Sequence, residues 1–395
     1  MKTLEKASCQ GFSAAGTACG LKKNGKPDLG MIFCSVPASV AGVFTRNKVQ
    51  AAPVLLDKKN ISSGVCRAVV ANSGCANCCT GKRGVDDAVE TTRLASGNLG
   101  VDAEDVLVAS TGVIGKILDV EKIRNAFPRL VDSLSPEGFE SFAEAIMTTD
   151  NVPKVSAVEA DFEGQTFNVV GVAKGAGMIR PDMATMLCFI CTDIQANPNT
   201  LKRVLRPAVD ASFNRITIDG DTSTNDTVLL MASGLSQVAA NRCMDLFQQA
   251  VDKVCLDLAH MLVKDGEGVN KVVTIDIQGA DSDQDARRIA DVIAHSPLVK
   301  TAFFGEDANW GRLLAAAGRA GVPLDPYVVD IFFDGVQMVK DGMGLDMEAE
   351  AMATEVMKLP EFTVKIDLKI GKGQASVLTC DLSYDYIKIN ADYRS

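Results

Sequence analysis

Histidine is almost missing from this chain, with His260 and His295 the only two in 395 residues. His260 falls in an apolar helical pattern and His295 at the end of another, settings where histidine is more often structural than catalytic. Mechanisms that rest on Ser-His-Asp or Cys-His pairs therefore have little material. The chain also lacks a G-x-G-x-x-G after a strand, a G-x-x-x-x-G-K-[ST] and an H-E-x-x-H, so dinucleotide, P-loop and zinc-protease chemistry have no motif. No long basic cluster exists: Lys+Arg total 40 against 50 Asp+Glu, a net charge of -10. Such a chain is a poor partner for nucleic acid or an anionic membrane, and small ligands are expected. No apolar run is long enough to span a bilayer. The longest, Cys243 to Val263, is interrupted by Asp245, Asp252, Lys253 and Asp257. The first residues, MKTLEKASCQGFSAAG, carry Glu5 and Lys6 where a signal peptide needs its apolar segment, so a cytoplasmic protein is expected.

Cysteine is plentiful, with 12 residues, read as reduced thiols in such a compartment. Cys188 and Cys191 form a C-x-x-C, but inside a strand they should point to opposite faces. "CANCC" (Cys75, Cys78, Cys79) has no spaced partner cluster. Packed thiols are expected at both places, with no metal and no cofactor.

The composition, 47% hydrophobic and 23% charged, is that of a globular protein, and the length predicts two lobes. Alternating β-branched runs recur, among them "CRAVVANSG", "DVLVAST", "KVSAVEADF", "TFNVVGVAKG", "RITIDG", "KVVTIDIQG" and "ASVLTCDLSYDYIKINADY". Helical patterns lie between them, at Val85–Leu99, Val120–Ser133, Pro136–Met147, Asn199–Phe213, Met244–Val263, Ser282–His295, Trp310–Ala320 and Met347–Lys358. Glu163-Gly164 reads as a hairpin turn. Hairpins with interspersed helices predict an α/β (α+β) layered sandwich of mixed, antiparallel-rich sheets, not an all-parallel doubly wound one. No repeat or low-complexity linker separates the lobes, and the nearest break is the junction Ala184-Thr185.

That junction sits in "GMIRPDMATMLCFICTD", where a loop with Gly, Pro and Asp runs into an apolar strand. Thr185 can simply begin the strand, as β-branched residues often do. A second reading is chemical. A threonine hydroxyl is a weak nucleophile, but an N-terminal threonine carries its own base, an α-amine of pKa about 8. Reaching that state requires cutting the bond before Thr185, by attack of its Oγ on the preceding carbonyl. Ala184 supplies the small preceding residue, and Gly175, Gly177 and Pro181 the bent backbone. "DGDTSTNDT" (Asp219–Thr227) lacks the spacing and closing glutamate of a calcium loop and reads as a hydrogen-bonded turn supporting a site. "NWGR" is expected to anchor a helix start at Trp310, the only tryptophan.

"KGAGMIRPDMATML" (Lys174–Leu187) resembles the self-cleavage site of the ornithine acetyltransferase family, also called glutamate N-acetyltransferase. The resemblance extends through "GVFTRNKVQAAPV", "VVANSG", "STGVIG", "AIMTTD", "FNRITIDGDTSTNDT", "KDGEG", "NWGR" and "INADYRS", in order along nearly the whole chain. It implies a self-cleaving N-terminal-nucleophile fold, cut between Ala184 and Thr185 into chains 1–184 and 185–395 that stay together as an α2β2 heterotetramer. It implies Thr185 as nucleophile, Thr111 and Gly112 as oxyanion donors, and Thr148, Lys174, Thr185, Glu267, Asn390 and Ser395 as substrate contacts. The implied substrates are N-acetylornithine and glutamate, with acetyl-CoA an acetyl donor for some members. A hydrolase or aminopeptidase of the same self-cleaving class, and a non-catalytic amino-acid-binding homologue, are the competing readings. Cys75 stands where the family usually has Asn, Val269-Asn270 where Ala-Thr is commoner, and Ala308 where Pro is usual.

Overall fold

Every residue of Leu187–Thr192 is buried, which is what a strand of Leu, Cys, Phe, Ile and Thr needs on both faces at the centre of a sheet. The computed structural model that contains it describes residues 1–180 and 186–392. The contacts divide the chain into two compact units, 1–214 with 221–262, and 215–220 with 263–395. Each unit is built on its own sheet, and the 184–185 junction falls within the sequence span of the first.

The first unit holds a nine-stranded sheet. Its strands are β1 (Lys2–Thr3), β2 (Phe12–Thr17), β3 (Leu29–Phe44), β4 (Val65–Asn72), β5 (Val106–Ser110), β6 (Lys154–Phe162), β7 (Gln165–Lys174), β8 (Leu187–Thr192) and β9 (Thr227–Ala232). The order is β1-β6-β7-β8-β9-β3-β4-β5, with β2 also on β3. Only β4–β5 and β8–β9 are parallel, so the sheet is mixed and antiparallel-rich as the hairpin signals required. Glu163 and Gly164 both have positive φ, 54° and 83°, and close the β6–β7 hairpin. On one face Phe139, Phe142 and Ile146 of helix Phe139–Ile146 pack against Ile32, Val69 and Phe189. On the other, Leu94, Ile123 and Phe127 from helices Gly81–Leu99 and Val120–Asp132 cover Met31, Val70 and Val108. At β7 the helix Met244–Lys264 rides directly over Gly171, where a Cβ would come within 2.5 Å of Val254. Cys191 points into the cluster with Phe189, and Cys188 lies on the opposite face of β8.

Asp57, on helix Ala52–Asn60, is fully buried beneath this sheet. Its Oδ1 accepts the Val108 N–H at 2.9 Å, and its Oδ2 has no partner among the described residues. Burial pushes the carboxyl well above its ordinary value, and the single N–H bond only partly offsets this. The folded state therefore keeps a proton that the unfolded chain loses near pH 4, so stability falls as pH rises above that point. Asp57→Asn should flatten this decline by up to about 1.4 kcal/mol per pH unit. Urea unfolding from pH 5 to 8 reads it, and an unchanged slope would mean that Asp57 is ionised in the fold.

The second unit holds a six-stranded sheet in the order β13-β12-β11-β14-β10-β15, comprising β10 (Val272–Ala280), β11 (Asp330–Phe333), β12 (Val336–Lys340), β13 (Met343–Gly344), β14 (Glu361–Asp367) and β15 (Gly373–Cys380). Ile275, Ile277, Ile289, Ile293, Leu313 and Phe333 share its core. His295 caps the C-terminus of helix Asp283–Ala294, and Asn309 caps helix Trp310–Gly318 by accepting the Arg312 N–H. Three helices depart from the sequence pattern. Ala52–Asn60 and Pro297–Phe304 are short and carry proline in the first turn, and Tyr384–Ala391 stands where the pattern predicts a strand. "YDYIKINA" alternates like a strand, yet Ser383 caps it as a helix and none of its residues is buried. "RITIDG" forms no strand, only an isolated bridge at Ile216.

Candidate active site

The parallel strands β4 and β5 end side by side, at Asn72 and Ser110. Each runs into a loop, and the two loops are pinned together by backbone bonds. Thr111 N–H donates to Asn72 O at 2.9 Å, Ala76 N–H to Val113 O at 3.1 Å, and Gly115 N–H to Cys78 O at 2.9 Å. Side chains repeat the link: Ser110 Oγ donates to Asn72 Oδ1 at 2.6 Å, and Asn72 Nδ2 donates to Cys75 O at 2.9 Å. Gly112 sits at φ 126° with the backbone of Gly74 and Cys75 pressed against it, so a residue with a side chain does not fit there.

Lys174, at the end of β7, is almost fully buried and donates from Nζ to Thr111 Oγ1 at 3.3 Å. Asp150 Oδ2 lies 4.0 Å from the same ammonium and accepts the Thr148 N–H at 2.9 Å. The structure thus brings together Thr111, Gly112, Thr148 and Lys174, four of the residues singled out in sequence, around a carboxylate that was not singled out. Burial raises the Asp150 carboxyl, but Lys174 and Lys154 outweigh that and hold it below the usual carboxylate range.

In the second unit Glu267 is buried and accepts a 2.8 Å hydrogen bond from Asn390 Nδ2. These two sequence-selected residues are therefore paired. Ala184, Thr185 and Ser395 lie outside the described residues.

Within the polar run Asp219–Thr227, Asn225 braces the loops. Asn225 Nδ2 donates to Ala76 O at 2.7 Å and to Ser110 O at 2.8 Å, joining both loops through one amide. Asp226 Oδ1 accepts the N–H of Met186, the residue after Thr185, at 3.1 Å, and burial pushes its carboxyl well above the ordinary value. In sequence nothing separates Asn225 from its polar neighbours, and nothing in "AIMTTD" alone gives Asp150 a role. A signal for the latter was present, a carboxylate four residues before Lys154 at the start of a strand. Of the "CANCC" thiols, Cys78 and Cys79 approach to 3.8 Å between sulfurs.

Mixed sheets covered by helices define a layered α/β protein, with a buried lysine–carboxylate cluster set against a glycine turn. The chain belongs to the ArgJ family, whose profile matches residues 13–395. The arginine biosynthesis bifunctional protein ArgJ of Geobacter sulfurreducens is 50% identical over 392 residues, covering 98% of this chain and 99% of that protein. Its namesake from Desulfotalea psychrophila is 49% identical over 390 residues, with 98% and 99% covered. Among solved structures, the ornithine acetyltransferase of Mycobacterium tuberculosis, crystallised with ornithine, is 39% identical and aligns 46% of this chain with 97% of that one, at TM-score 0.43. Among the described residues no helix is long and apolar enough to cross a membrane.

Proposed function

We propose that the protein is a glutamate N-acetyltransferase of arginine biosynthesis that moves acetyl from N2-acetyl-L-ornithine to L-glutamate through an ester on Thr185. The observation that carries the reading is the end-to-end relation to proteins named arginine biosynthesis bifunctional protein ArgJ, at 43–50% identity in relatives such as those from Geobacter sulfurreducens and Bacillus anthracis. The chemistry begins with the chain cutting itself before Thr185. Its Oγ then attacks the acetyl carbonyl, the C–N bond breaks, and the Oγ proton passes through the new α-amine to the leaving amine of ornithine. The amine of glutamate attacks the resulting ester and regenerates the hydroxyl. Thr111 and Gly112 donate to the oxyanion in both halves, each donor worth about 3 kcal/mol of barrier. Lys174 meets the substrate carboxylate, with Thr148 beside it. Glu267 takes the ammonium of ornithine, and Asn390 and Ser395 complete the contacts.

In this scheme the acetyl group passes from N-acetylornithine to glutamate through Thr185 without a cofactor. The chains 1–184 and 185–395 remain associated, in a cytoplasmic α2β2 heterotetramer. The sheet of the first unit supports their staying together. Strands β1–β7 precede the cut and β8 and β9 follow it, with β8 paired to β7 from Val169↔Thr192 to Lys174↔Leu187 and β9 paired to β3. Separating the chains would open both ladders, leaving buried N–H and C=O groups unpaired.

The test is one incubation of the purified protein with N-acetylornithine and glutamate, read by mass spectrometry of protein and products. Fragments 1–184 and 185–395, an acetyl adduct on the second, and N-acetylglutamate are expected. Ornithine release that is indifferent to glutamate, with acetate as product, would replace transfer by hydrolysis.

A further inference from the structure

We propose that Asp150 is the positioning residue of this site, a single buried carboxylate that fixes Thr148 and Lys174 against the oxyanion turn and so sets the selectivity for a substrate carboxylate. The inference rests on the reading of Lys174 as the carboxylate contact. Its ground is how the two oxygens of Asp150 are used. Oδ1 faces the scaffold, accepting Lys154 Nζ at 2.8 Å and the Gly175 N–H at 2.7 Å. Oδ2 faces the site, accepting the Thr148 N–H at 2.9 Å and standing 4.0 Å from Lys174 Nζ. The side chains of Asp150 and Lys154 are both fully buried. Lys154 opens β6 and Lys174 ends β7, and these two strands are paired with Lys154 opposite Ala173. Asp150 therefore ties the start of one strand to the end of its neighbour and orients the ammonium that the second strand delivers.

A lysine stem has several rotatable bonds, and its ammonium is a point charge without the built-in direction of a guanidinium. Something else must give it direction. Thr111 Oγ1 does so from one side at 3.3 Å, and Asp150 Oδ2 draws it from another. Without Asp150 the ammonium can adopt other rotamers, and a carboxylate arriving in the site meets it in several orientations. The loss should appear in substrate binding and discrimination more than in the chemical step, because Asp150 touches neither the acetyl group nor the nucleophile's hydroxyl in this scheme.

Removing Asp150 alone takes the 2.8 Å carboxylate partner from the buried Lys154 ammonium, which endangers folding. The experiment therefore uses the full-length protein with the paired change Asp150→Asn/Lys154→Met, beside Asp150→Glu and Lys174→Met, with rates expressed per cut chain. Two donors are compared: N-acetylornithine and N-acetyl-1,4-diaminobutane, which lacks only the carboxylate. For the paired variant the KM for N-acetylornithine should rise at least tenfold while kcat stays within about threefold, and the preference for the carboxylated donor should fall at least tenfold. Asp150→Glu, which keeps the charge but moves it by one methylene, should fall between that variant and the wild type. Wild-type preference in the paired variant, or in Asp150→Glu where the paired variant does not fold, overturns the inference. Lost preference in Lys174→Met beside an unaffected paired variant removes the inference alone. Retained preference in Lys174→Met removes the carboxylate reading and the inference together.

Discussion

Thr185→Ala is expected to purify as one uncut polypeptide and to transfer no acetyl group. The change removes one hydroxyl and one methyl from a residue whose backbone would be unaffected, so the fold should survive it. What disappears is the only nucleophile the scheme uses, once for cutting and once for acyl transfer. Loss of a covalent nucleophile costs on the order of 10⁶-fold in kcat where other proteins have been tested. Among the described residues, His260 lies in the helix Met244–Lys264 and His295 just past the helix Asp283–Ala294, not in the loops around Thr111, and burial pushes the thiols of Cys188 and Cys191 well above the ordinary value, which keeps them neutral. Thr185→Ser, which retains a hydroxyl, should cut and transfer at a reduced rate. Intact-mass measurement and a glutamate-dependent assay read both variants. A Thr185→Ala protein that is uncut yet active would end the threonine mechanism.

Much of this was legible in sequence, because strands and site residues announce themselves differently. Alternating β-branched runs located β4 to β8, and the Glu163-Gly164 turn fixed the β6–β7 register, since both residues must accept positive φ. Thr111, Gly112, Thr148, Lys174, Glu267 and Asn390 all fall in quoted motifs, and the structure gathers the first four in one unit and pairs the last two in the other. Asp150 and Asn225 escaped because their meaning lies in partners far along the chain or in backbone groups. Asn225 holds Ala76 and Ser110, 149 and 115 residues away, and no local pattern encodes such a bridge. Two lobes were expected from the length, but the place where they divide escaped for a similar reason. Six residues, 215–220, leave the first unit for the second without any glycine- or proline-rich linker to mark the crossing. The helix Tyr384–Ala391 was hidden because an exposed helix needs no apolar stripe, so period two by chance outweighed its Ser383 cap.

Gly112→Ala should cost most of the advantage of the oxyanion turn, and the reason is geometric. At φ 126° an L-residue is already strained, and the added Cβ would lie 2.6 Å from both Cys75 N and Gly74 C. Both are backbone atoms, so no side chain can rotate away. The loop of 72–78 must shift, and with it the bonds from Ala76 N–H to Val113 O and from Gly115 N–H to Cys78 O that set the turn. An oxyanion donor displaced by a few tenths of an ångström loses most of its advantage, so kcat should fall about 10²–10³-fold, with KM nearly unchanged because the donors act on the transition state. Self-cutting should slow in parallel, since the same donors would serve the tetrahedral species formed at Ala184. Gly115→Ala separates contact from mere strain. Gly115 also has positive φ, 82°, but nothing lies within 4 Å of its Cβ position. That variant should lose only about 1 kcal/mol of stability and keep its kcat. Equal kcat losses at both glycines would assign the effect to backbone strain, and an unimpaired Gly112→Ala enzyme would remove the turn from the oxyanion role altogether.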